Sequence, residues 1–99
     1  MPPKTPRPGR DGAESLALQA VAIIVGDDEL LPRFLAFTGS GAEDLRHRIT
    51  DPDFLGAVLD FVLENDATVQ TLAQAAGVAP EAVSRARAEL PGMPVDWSP

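Results

Sequence analysis

The sequence predicts an all-α protein, a compact orthogonal bundle of five or six short helices. Three observations carry that prediction. Apolar residues recur at three- and four-residue intervals, and no segment shows the strict apolar–polar alternation of a half-buried strand. Glycines and Asp-Pro or Asn-Asp steps punctuate the pattern at short intervals, so no helix runs long. The chain has 99 residues, 44% of them hydrophobic, which suits one small domain with a core of modest size.

The first ten residues, MPPKTPRPGR, hold Pro2, Pro3, Pro6 and Pro8 with Lys4, Arg7 and Arg10. Proline at that density removes backbone donors, and Met1 is the one apolar side chain other than the prolines, so residues 1–10 read as a disordered basic tail. A single helical domain is expected over 11–92. AESLALQAVAIIV, residues 13–25, places Leu16, Ala20, Ile23 and Ile24 at helical spacing. Gly26 stops that helix, and Asp27 or Asp28 caps the next. ELLPRFLAFT, 29–38, carries Pro32 in its first turn, where a missing N–H costs little, and ends at Gly39.

SGAE, 40–43, has capping-box spacing and starts a short helix over about 42–49 with Leu45 and Ile49 on one side. TDPDF then sets Asp51 as N-cap and Pro52 as first helical residue of a helix over 52–64. Its polar face is expected to be Asp53, Ala57, Asp60 and Glu64, with Phe54, Leu55, Val58, Leu59, Phe61 and Val62 inward. Asn65 reads as its terminator and Asp66 as the cap of the next helix, about 67–76. Gly77 breaks that helix, and Pro80 opens a last one to about 90, closed by Pro91-Gly92. Residues 93–99 read as an irregular tail, with Trp97 folded back on the core edge because an isolated exposed tryptophan is uncommon.

Composition narrows the function. There is no cysteine, which removes disulfides, thiolate catalysis and cysteine-bound metals. No apolar run follows the basic N-terminus as a secretory signal requires, and Leu16–Val25 falls short of the ~20 residues that span a bilayer. A soluble, cytoplasmic protein without a membrane segment is expected. Net charge is −7. The first ten residues hold three of the eight basic side chains and no acid, which leaves five basic and fifteen acidic side chains beyond them. Such a body repels polyphosphates at a distance.

No catalytic, metal or cofactor residues are assigned. His47 is the one histidine and sits between Arg46 and Arg48, which oppose a cation. With no cysteine or tyrosine and the one lysine in the tail, a nucleophile lacks a base. TGSGAED lacks the lysine of a phosphate-binding loop.

TLAQAAGVAPEAVSRARAEL, 71–90, resembles the helix-turn-helix of bacterial repressors, and the resemblance extends over residues 67–90. Leu72, Ala73 and Ala76 are expected to face inward, Gly77 to turn, Val78 to plug the turn, and Val83 and Ala86 to anchor the second helix. The base-reading edge of such a motif would be Pro80-Glu81-Ala82, which suits a DNA groove poorly. Ser84, Arg85 and Arg87 are the positions able to touch phosphate. From Glu64 onward there are two basic and five acidic residues, so nucleic-acid binding is not favoured.

DDELLPRFLAFTG, DLRHRITDPDFLGAVLDFVLEND and AAGVAPEAVSRARAELPG together resemble a family of small bacterial proteins near 90 residues long with no assigned function. The resemblance implies an all-helical fold and brings no site residues. One feature of the residues themselves remains: more apolar surface than a bundle of this size readily hides. Either the core absorbs it, or a face around Leu18, Val25, Phe34 and Phe37 meets a protein partner or a second copy. The resulting expectation is a non-catalytic protein-interaction or regulatory module. A helix-turn-helix DNA-associated regulator is the alternative.

Overall fold

The structure, a computed structural model, describes residues 10–91. Among them are six helices and no strand: α1 (Arg10–Val25), α2 (Leu30–Thr38), α3 (Leu45–Arg48), α4 (Pro52–Leu63), α5 (Asp66–Ala76) and α6 (Glu81–Ala88). The expected all-α class is the observed one. Of the tail expected over residues 1–10, residues 1–9 lie outside the described residues, as does the C-terminal tail, 93–99, with Trp97. Arg10, assigned by sequence to the tail, instead opens α1, and Asp11 stands in the first turn, where the helix dipole favours an acid.

α4 forms the centre because most of its circumference is apolar. Phe54, Leu55, Gly56, Val58, Leu59 and Val62 are buried, and the helix packs against α1, α2, α5 and α6. α1 offers it Ala13, Leu16, Ala17, Ala20 and Ile24, all buried, at spacings that keep one stripe facing inward. The three alanines in that stripe permit close approach of the helix axes.

The helix starts show which polar residues won the local competition. Asp27 Oδ1 accepts from the amides of Glu29 (2.8 Å) and Leu30 (3.0 Å), so of the two candidate aspartates Asp27 caps α2. Asp51 accepts from Asp53 N at 3.0 Å ahead of Pro52, as the sequence predicts. The capping box at 40–43 does not form. Residues Ala42–Asp44 make a 3-10 turn, with Gly41 N donating to Asp44 Oδ2 at 3.4 Å. Ser40 is buried, and its Oγ accepts from Arg48 Nη1 at 2.6 Å. A charged donor takes that oxygen in place of the backbone amide.

The α4–α5 junction is also corrected. Asn65 does not merely end α4. In extended conformation its Oδ1 accepts from Ala67 N (2.8 Å) and Thr68 N (3.4 Å), which makes it the N-cap of α5, and Asp66 is the first helical residue. Two residues thus connect α4 to α5.

Gly39 and Gly77 both end helices in the left-handed region, each with φ of 71°. At Gly77 the turn is fixed by its own amide on Gln74 O (3.3 Å) and by Val78 N on Ala73 O (3.0 Å). That closure turns Val78 outward, 39% exposed, so it does not plug the hairpin. Leu72 and Val83, both fully buried, fill the space. Gly77→Ala is expected to lower unfolding free energy by about 1–2 kcal/mol, since a Cβ meets no neighbour there and the left-handed backbone alone opposes it. Urea unfolding of the variant measures this.

Candidate functional site

The predicted partner residues divide among three environments. Phe34 is core, 1% exposed, and so is not part of a partner surface. Its ring meets Phe54 and Phe61 edge-on, with centroids 5.8 and 5.3 Å apart. α2 is apolar over most of its circumference, and these two α4 rings select the side that is buried.

Phe37 lies on the adjoining side of α2, half-buried, its ring 5.4 Å from that of Phe61. Both rings line an open groove of about 400 Å³ between α2 and the α4–α5 junction, with Arg33 and Glu64 as its charged members. Asn65 and Thr68 also line it. The Asn65 oxygen in that lining is already engaged in capping α5.

Leu18 and Val25 stand apart from that groove, on the outer side of α1. They are 44% and 50% exposed. Ala22 is exposed between them, and the four- and three-residue steps place all three on one helix face. Ser15 and Asp11 continue the same line toward the N-terminus. α1 thus packs one side against α4 and α6, while its solvent side carries this apolar line beside exposed Ser15 and Gln19. The charges around this strip are distributed in a simple way. Residues 15–26 carry none, while Asp11 and Glu14 precede them and Asp27, Asp28 and Glu29 follow. No Lys, Arg or His occurs between residues 11 and 32.

The predicted nucleic-acid positions are not brought together. Ser84 and Arg85 are exposed on α6, whereas Arg87 is 8% exposed and turned into the bundle. Its Nε donates to Asp60 Oδ1 at 2.6 Å, and Nη1 reaches Leu90 O (3.2 Å) and Pro91 O (3.5 Å). Arg87 is thus an internal clamp that joins the end of α6 to α4, not a phosphate contact. The exposed face of α6 keeps Arg85 against Glu81 and Glu89, which leaves no net positive charge for a phosphate backbone.

Sequence reasoning missed this clamp. Asp60 is not part of a solvated face. Its side chain is 10% exposed, and Oδ2 finds no hydrogen-bond partner among the described residues. Gly56, one turn earlier, makes room for the guanidinium: a Cβ there would lie 2.9 Å from Pro91 O and 3.1 Å from Arg87 Nη1. One signal was available. Arg87 shares the inward face of α6 with Val83 and Leu90, four and three residues away.

Among the described residues no three His, Asp or Glu side chains gather as a metal-ligand set. No helix among them is long and apolar enough to cross a membrane. Comparison with known proteins places the chain in a family: residues 10–93 match the one described as "Protein of unknown function (DUF3572)", and the chain belongs to it. Neither the curated proteins nor the solved structures contain a match.

Proposed function

We propose that this DUF3572 protein is a non-catalytic protein-interaction module that works through the outer face of α1. The observation that carries the reading is the exposed apolar line Leu18–Ala22–Val25 on a helix whose opposite face is already committed to the core. Single exposed leucines are ordinary on protein surfaces. Three apolar side chains in helical register, without a charge among residues 15–26, form a surface that a second helix can cover. An isolated strip of this kind buries less than the ~800 Å² per partner of a stable interface, so the contact extends onto its polar rim.

The double variant Leu18→Asp/Val25→Asp tests the reading. Both side chains are already half in water, so the fold is expected to lose little, about 0.5 kcal/mol per site. A partner retained by the wild-type chain in affinity capture from its own cell extract is expected to disappear with the double variant. A partner that stays bound to a folded double variant sinks the assignment of the surface. Nucleic-acid binding draws no support from a helix α6 whose second candidate cation is committed to Asp60.

A further inference from the structure

We propose that the groove between α2 and the α4–α5 junction binds a small zwitterion with a phenol-bearing body, the chemistry of free tyrosine. The groove is separate from the outer face of α1, and its role does not depend on the interaction role above. Three features lead to this ligand class.

The first is an unused hydroxyl at the floor of the groove. Thr68 is 7% exposed, the most buried of the residues that line it. A helical threonine commonly returns its hydroxyl to the carbonyl one turn back. Thr38 Oγ1 donates in this way to Phe34 O (3.1 Å), and Thr71 Oγ1 to Ala67 O (3.0 Å). For Thr68 the corresponding carbonyl is that of Glu64, which precedes the Asn65 cap and lies outside α5. Thr68 Oγ1 makes no hydrogen bond among the described residues. Nor is it sealed off: among those residues, Asp60 Oδ2 is the one buried side-chain polar atom without a partner. The Thr68 hydroxyl therefore opens into the groove it lines, where a ligand hydroxyl can pair with it.

The second is a pair of opposite charges on opposite walls. Arg33 of α2 and Glu64 at the end of α4 both line the groove, and both are exposed at its rim. Neither side chain makes an ion pair or hydrogen bond among the described residues. Glu64 is the C-cap of α4, whose last turn holds no basic residue, so the negative end of the helix dipole adds to its carboxylate. An ammonium answers that wall, and a carboxylate answers the Arg33 guanidinium.

The third is the apolar surface at intermediate depth. The half-buried Phe37 and Phe61 rings offer an edge-to-face pair against which a third ring packs. The groove volume of about 400 Å³ is in the range of small-molecule sites. Free tyrosine meets all three features. Its ring lies on Phe37 and Phe61, its phenol O–H donates to Thr68 Oγ1, and its carboxylate and ammonium meet Arg33 and Glu64. A tyrosine within a peptide lacks both end charges and leaves Arg33 and Glu64 unanswered.

The test is a two-dimensional amide NMR titration of the full chain with tyrosine and four analogues. Phenylalanine lacks the phenol oxygen, tyramine the carboxylate, and desaminotyrosine the ammonium; N-acetyl-tyrosine amide stands in for a tyrosine within a peptide. Tyrosine is expected to shift amides over 30–37 and 61–68. It is expected to bind about tenfold more tightly than phenylalanine and about threefold more tightly than tyramine or desaminotyrosine. Thr68→Val, which removes the hydroxyl and keeps the shape, abolishes the preference over phenylalanine. Arg33→Gln abolishes the preference over tyramine, and Glu64→Gln the preference over desaminotyrosine; both positions are exposed, so the fold is kept.

The proposal is overturned if tyrosine shifts none of these amides up to its solubility limit, or shifts the outer face of α1 instead. It is also overturned if phenylalanine or N-acetyl-tyrosine amide binds as well as tyrosine, or if the preference over phenylalanine survives Thr68→Val. Should Thr68→Val not fold, the comparison of tyrosine with phenylalanine on the wild-type chain decides alone.

Discussion

Replacing Arg87 with alanine is expected to destabilise the protein by about 3–5 kcal/mol, because it leaves the Asp60 carboxylate buried without its charged donor. For a small domain whose whole stability is of the order of 5–15 kcal/mol, that removes a large share. Two carbonyls just beyond α6, Leu90 O and Pro91 O, lose their donor in the same step. The cost is one of breaking the pair, not of lacking it. Asp60→Leu/Arg87→Met, which fills the same space with apolar groups, is expected to come within about 1–2 kcal/mol of wild type. Urea unfolding of both single variants and the double variant closes the cycle, with a coupling energy on the order of 2–3 kcal/mol. A loss below about 1 kcal/mol in Arg87→Ala would mean that the guanidinium is solvated, as a phosphate-binding arginine would be.

Phe34→Ala is expected to cost about 3–5 kcal/mol, the range for emptying a buried aromatic site. Phe34 holds the Phe54 and Phe61 rings in edge-to-face contact, and the cavity is bounded on both sides by α4, which does not collapse readily. Leu18→Ala is expected to change stability by no more than about 0.5 kcal/mol. The sequence alone groups both residues as candidates for one partner surface or for the core, so the contrast between them is a direct check of the packing. Equal effects in thermal or urea unfolding would contradict it.

The helices were legible because their signals are local. Glycine at 39 and 77, Asp51 ahead of Pro52, and the inward stripe of α1 each act within a few residues. Where two local signals compete over one or two positions, tertiary context decides. Ser40 looked like a cap until Arg48 reached it from eight residues away, and Asn65 looked like a stop until its extended backbone made it the start of α5. The clamp was less accessible still. Asp60 and Arg87 are 27 residues apart, and each has an adequate surface role when read alone. Only the packing of α6 on α4, over a glycine, shows that they meet. The candidate surface was half legible: Leu18 and Val25 follow from the surplus of apolar positions on α1, whereas the side of α2 that faces inward depends on aromatic partners in another helix.

The claim that the outer face of α1 is the binding surface is tested most directly by site-specific photocrosslinking in the cell. A photoreactive residue replaces exposed Ala22, with exposed Ala75 on α5 as the control position. One discrete adduct to another protein is expected from position 22, lost on adding Val25→Asp, and none from position 75. The same adduct from position 75 with none from position 22 would place the interface elsewhere and contradict it.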